Sequence, residues 1–191
     1  MNEKLLANIR FYFAQAVFMN SCHFNAMDRL KQRENKISLL IKIVSGATII
    51  SLVLQIIGFE NNVRVVLKVA VFIGLLATTI SLIFNFFYKD DRIFEIYRHR
   101  VYAEKYKFLR DEYMSLITDI MANSIPEDQQ RINRNDFQNR YSIIGESAPT
   151  IDVIDYENAR KNLGIQKNDK EEFTWSDFEI DKFLPKQLRI S

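Results

Sequence analysis

The chain has 191 residues and a net charge of +2, enough length for one ordinary domain with additions. That charge is too small for a nucleic-acid binder, which needs a concentrated basic face, so direct nucleic-acid binding is not expected. A single cysteine, Cys22, excludes an internal disulfide framework, and five glycines with three prolines leave few breaks, so long helices should dominate.

Residues 3–35 read as an amphipathic helix. Leu6, Ile9, Phe13, Ala16, Asn20, His23, Met27 and Leu30 recur at three- and four-residue spacing. Phe11, Tyr12, Phe18 and Phe24 add aromatic surface suited to packing against another helix of this chain, or to a position at a membrane interface. This region has no apolar core followed by a small-residue cleavage site, so membrane entry is expected to use internal spans.

Two such spans follow. Residues 37–59 (ISLLIKIVSGATIISLVLQIIGF) and 65–87 (VVLKVAVFIGLLATTISLIFNFF) each carry one charge, Lys42 and Lys68 respectively. At about 1.5 Å per residue each window reaches roughly 34 Å, enough for a hydrocarbon core of about 30 Å. Fourteen residues of the first window are Ile, Leu, Val or Phe. They favour insertion by roughly 4–8 kcal/mol, against about 2.5–3.5 kcal/mol for a central lysine. Both lysines lie near span ends and can snorkel, so insertion wins. Burying both segments in a soluble protein would need helices on every side, and the rest of the chain is too charged to supply them.

Arg29, Lys31, Arg33 and Lys36 precede the first span, and Lys89, Arg92, Arg98 and Arg100 follow the second; the connection, residues 60–64, holds only Arg64. The positive-inside rule therefore puts both termini in the cytoplasm and leaves an outer loop of about five residues, too short to be a folded sensor.

Beyond the second span, Asp90 and Asp91 open a helix to about Met121, with Phe94, Tyr97, Val101, Phe108, Leu109, Tyr113, Leu116, Ile117 and Ile120 as its apolar face. It is expected to pair with the N-terminal helix as an antiparallel cytoplasmic stalk. A break at residues 123–129 contains Pro126, and the tail beyond about residue 130 reads as short and polar. In it, one helix runs from Asp152 to Leu163, stopped by Gly164. Another starts at the capping box Ser176-Asp177-Phe178-Glu179 and ends before Pro185. Trp175, Phe178, Phe183 and Leu184 are its apolar anchors, which points to docking rather than independent folding. The expected fold is thus an all-α membrane protein, with a two-helix transmembrane hairpin, long amphipathic cytoplasmic helices and a short, partly helical C-terminal tail. The expected domains are residues 1–122, a two-transmembrane-helix domain, and residues 123–191, a cytoplasmic tail.

No catalytic, cofactor-binding or metal-ligating constellation stands out, and the chain does not read as an enzyme. His99, between Arg98 and Arg100, reads as part of a solvated face, and His23 as an interhelical hydrogen-bonding residue. The informative polar residues lie in the spans. Ser45, Thr48, Ser51 and Gln55 share an arc of about 120° on the first helix, and Arg64, Lys68, Thr78, Ser81 and Asn85 one of about 140° on the second. They either line water in an oligomeric pore or hydrogen-bond helices together, with Gly46 and Gly74 permitting close approach. Two helices cannot enclose water alone, so a pore needs a homo-oligomer.

This arrangement resembles the SLATT family, two-helix membrane effectors associated with SMODS nucleotidyltransferases and SLOG domains in bacteria. The residues that carry the resemblance are the N-terminal helix, the Gly46-containing span, the short loop, the second span and the helix from Asp91. In the tail, Ala148-Pro149, Asp155-Tyr156-Glu157 and Phe183-Leu184-Pro185 are similar to the reverse-transcriptase-linked subfamily. The resemblance implies a pore-forming antiphage effector of the bacterial inner membrane, a cell-suicide device triggered by a nucleotidyltransferase product or a reverse-transcriptase complex. The alternative is a non-conducting membrane anchor or scaffold that recruits cytoplasmic partners.

Overall fold

A computed structural model describes residues 2–60, 64–88, 90–165 and 175–190, with the side chains of 58–60, 66, 84–88, 90 and 91 left out of the description. All regular structure among these residues is helical: α1 (Glu3–Glu60), α2 (Arg64–Tyr88), α3 (Asp90–Met121), α4 (Glu127–Ser147), α5 (Val153–Asn162), α6 (Asp177–Asp181) and a 3₁₀ turn at Lys186–Leu188. The expected all-α class holds.

The chain divides into two units, one of Met1–Asp28 with Tyr97–Ser191, the other Arg29–Ile96. The amphipathic segment and the first span are one helix rather than two, since α1 is continuous over 58 residues. The reason is in the sequence: no proline or glycine occurs before Gly46, so nothing interrupts the hydrogen-bond ladder.

In the first unit, Leu6, Ile9, Phe13 and Ala16 of α1 pack against Leu109, Tyr113, Leu116, Ile117 and Ile120 of α3, with Ile180 and Leu184 of the C-terminal segment closing the cluster. A second cluster joins Phe18 and Cys22 to Ala159 and Ile165. The striped face of α1 is therefore the buried one. The tail docks as expected, through Trp175, Phe183 and Leu184; Phe178 instead lies exposed, as do Phe94, Tyr97 and Phe108 of α3. These three belong to the half of α3 turned away from Leu109, Tyr113 and Ile117, so a single apolar face was too simple a reading.

Local signals set the helix ends. Asn123 (φ 50°) and Gly164 (φ 64°) both sit in left-handed geometry just past a helix. At each, two bonds close the end: Ser124 N to Asp119 O (3.0 Å) with Asn123 N to Ile120 O (3.1 Å), and Ile165 N to Arg160 O (3.0 Å) with Gly164 N to Lys161 O (3.2 Å). At α6 the Glu179 N–H donates to Ser176 Oγ (3.3 Å) and the Ser176 N–H to Glu179 Oε2 (3.1 Å), a capping box. The tail departs from expectation at α4, a 21-residue helix beginning after Pro126. Phe137, Tyr141 and Ile144 give it one narrow stripe, which packs on the first cluster.

In the second unit α1 and α2 run antiparallel. Ser51 meets Ala70 while Glu34 lies 3.8 Å from Arg92, so numbers rising along α1 fall along the returning chain. Outward from this pair stand Leu39, Ile43, Ile49, Ile56, Phe72 and Leu75, each more than half exposed. Such a surface has no stable place in water. Within α1 lies a stretch long and apolar enough to cross a bilayer, and Leu67–Ile83 forms a second, shorter apolar stretch.

Candidate functional site

The seam of the hairpin is built from small residues. Ala70, Gly74 and Ala77 put one side of α2 against α1, and Ala70 and Ala77 are buried. A side chain at Gly74 would place its first carbon 2.7 Å from Ser51 Oγ and 3.3 Å from Gln55 Nε2, so only glycine allows this approach. Ser51 Oγ donates to the Ala70 carbonyl, and Gln55 Nε2 donates to Ser51 Oγ at 3.4 Å. Gly46, by contrast, faces open space and permits no approach within this chain.

The polar span residues thus divide. Ser51 and Gln55 come together at the seam. Thr48, half-buried, returns its hydroxyl to Val44 O (3.0 Å), and Thr78, exposed, donates to Gly74 O (2.7 Å). Such bonds to the preceding turn let a hydroxyl sit in hydrocarbon without an orphaned donor. Ser45 and Lys68 are exposed and Ser81 is half-buried; the side chain of Asn85 falls outside the described residues.

Three further features mark the first unit, of which the sequence reading anticipates only His23 as an interhelical hydrogen-bonding residue. His99 is buried rather than solvated, and its Nδ1 lies 3.0 Å from Nδ1 of His23, itself fully buried. One ring donates and the other accepts, so the bond needs a proton on one Nδ1 only. Tyr106 stacks on His23 at 5.6 Å, and burial followed by the neighbouring His99 lowers the His23 pKa to about 4. Next to it, Cys22 is buried, and desolvation, reinforced by Asp155, pushes its thiol up to about 12.

Arg10 is the third. Fully buried on α1, it donates to Asp181 Oδ1 (2.6 Å), to Leu188 O (3.1 Å) and, weakly, to Asp177 Oδ1 (3.4 Å), holding the C-terminal segment like a clasp. Its position in the stripe Leu6-Arg10-Phe13-Val17 was the available signal. Among the described residues, no group of three His, Cys, Asp or Glu side chains is arranged to hold a metal ion.

The family model for SMODS and SLOG-associating 2TM effector domain family 4 matches residues 5–179. The chain belongs to this family. No curated protein and no solved structure matches it. The family is that of a two-transmembrane effector domain associated with defence systems, and together with the long apolar stretch of α1 it makes the chain a membrane protein. The match continues through α3, α4 and α5 to Glu179, so it covers these helices as well as the hairpin and stops short of Asp181.

Proposed function

We propose that this chain is an inner-membrane effector of bacterial antiphage defence, which oligomerises and permeabilises the membrane on an intracellular signal. The observation that carries this reading is the outward placement of Ser45, Thr78 and Lys68 on a hairpin whose seam is already filled by Ser51, Gln55, Ala70 and Gly74. Lipid offers no partners to polar groups facing out of a two-helix unit; Thr78 is satisfied by Gly74 O of its own helix, so Ser45 and Lys68 are the groups that favour contact with further copies around water. The basic residues flanking both spans support cytoplasmic termini, and the short connection leaves reception of the signal to the cytoplasmic side. The signal is a nucleotidyltransferase product or one linked to a reverse transcriptase.

Ser51 and Gln55 favour the second reading, a non-conducting scaffold, since their polar groups are used in packing. Depolarisation of induced cells and single-channel current from reconstituted protein separate the two. Ser45→Leu, Thr48→Leu and Thr78→Leu at matched membrane abundance should abolish current while crosslinked multimers persist. Toxicity without current in the wild type would replace the pore with the scaffold.

A further inference from the structure

An open cleft of about 690 Å³ lies in the first unit, between α1, α3, the end of α5 and the clasped C-terminal segment. Sites for small molecules commonly enclose about 300–1,000 Å³. Its apolar lining includes Phe13, Val17, Met114 and Leu184. Along one wall runs a chain of hydrogen bonds: Asn25 Nδ2 donates to Ser21 O (2.9 Å), and Asn162 Nδ2 donates to Asn25 Oδ1 (3.2 Å). Asn25 Nδ2 also reaches Ser21 Oγ (3.4 Å), so this chain fixes the amides and the Ser21 hydroxyl together.

Two cations, Arg110 and Lys182, complete the lining, and no carboxylate shares it among the described residues. Asp111 Oδ1 accepts from both Nε (2.8 Å) and Nη2 (2.6 Å) of Arg110, which sets the plane of the guanidinium. Those bonds use two of its five N–H groups, and the Nη1 edge carries two more. Lys182 donates to Gly164 O (3.1 Å) and has two further N–H bonds. A guanidinium held in orientation by Asp111, on the same lining as an ammonium, suits an anion with several oxygens. Phe24 and Phe183, also on the lining, suit a flat apolar group.

We propose that this cleft binds a small organic phosphate whose remaining part is a flat ring, with Arg110 and Lys182 on the phosphate and Phe24 and Phe183 against the ring. A ligand there touches α1, α3, α5 and the C-terminal segment together, so it stabilises the clasped arrangement by mass action. Its role as receiver of the intracellular signal rests on the effector reading; the binding does not.

Isothermal titration of the full chain in detergent micelles tests the site, with phenyl phosphate, adenosine monophosphate, ribose 5-phosphate and inorganic phosphate as probes. The two ring-bearing probes should bind and compete, and the other two should bind at least about tenfold more weakly. Arg110→Ala and Lys182→Ala should each weaken binding by about tenfold. Arg110→Lys, which keeps the charge, should retain more affinity than Arg110→Ala, and so distinguishes lost recognition from lost folding. Saturable binding by none of the probes, or binding that both alanine substitutions leave unchanged, overturns the site. Inorganic phosphate binding as tightly as phenyl phosphate overturns the ring assignment. Current recorded after reconstituting the same protein into bilayers keeps the two readings apart: binding without conductance defeats the pore alone, and conductance without binding defeats the cleft alone.

Discussion

Replacing Arg10 with alanine should open the C-terminal clasp without unfolding the rest of the first unit. Arg10 and Asp181 are both buried, 0% and 3% exposed, and they meet at 2.6 Å. Removing one partner of such a pair leaves an uncompensated buried charge, at about 3–5 kcal/mol. The contact with Asp177 adds little, because it is long and that carboxylate is 59% exposed. Asp181 also accepts from Ile190 N (3.2 Å), so the stranded carboxylate must either give up that tie or swing out with the segment that carries it. Swinging out relieves the buried charge at the cost of the local contacts of Ile180, Phe183, Leu184 and Leu188. Hydrogen exchange on the detergent-solubilised chain should show amides of residues 177–190 losing most of their protection, while those of residues 105–120 in α3 keep theirs. Arg10→Met combined with Asp181→Leu should restore much of the loss, because an apolar pair of similar bulk leaves no charge to strand. Unchanged protection in the segment after Arg10→Ala would refute the reasoning, as would a double substitution no better than the single one.

Gly74→Ala should weaken the hairpin by about 1–3 kcal/mol through the clash at Ser51, whereas Gly46→Ala, with nothing within 4 Å, should be neutral or slightly stabilising; equal effects in detergent unfolding titrations would contradict the seam. The His23 pKa of about 4, against an ordinary 6.5, means the unfolded chain takes the proton first. Stability is therefore full above 6.5 and falls as pH drops toward 4, by about 2 kcal/mol at pH 5. Denaturant midpoints measured from pH 7 to 5 should follow that slope, and the slope should shrink in His23→Gln; a flat wild-type profile rejects it. Reporter fusions at residue 1, in the 60–64 connection and at Ser191 should place both termini on the cytoplasmic side, and an external terminus would sink the intracellular trigger.

Much of the architecture was legible because its signals are local. Both apolar stretches, the stop at Gly164, the capping box at Ser176 and the break around Pro126 need only a few neighbouring residues to be read. The continuity of α1 was also visible, in the absence of any breaker between residues 3 and 45, but the change from polar to apolar composition masks it. What stayed hidden depends on contacts distant in sequence. His99 is flanked by two arginines, and only the opposing His23, 76 residues away, explains its burial. Arg10 finds Asp181 across 171 residues. Polar α4 carries too thin an apolar stripe to announce itself, and the division of the span residues required knowing which side of α1 meets Gly74.

Cys22 makes this chain its own blank background for chemical mapping. With the only thiol buried and held near 12, the thiolate fraction at pH 8 is about one in ten thousand, so a maleimide finds almost nothing to react with in the folded protein. A cysteine placed at Ser45, Thr78 or Lys68 would then report its surroundings alone, without first engineering the native residue away: water accelerates its labelling, hydrocarbon suppresses it. The same silence offers a gauge of integrity, because any labelling of Cys22 means that the contacts of Phe18, Ala159 and Ile165 have come apart.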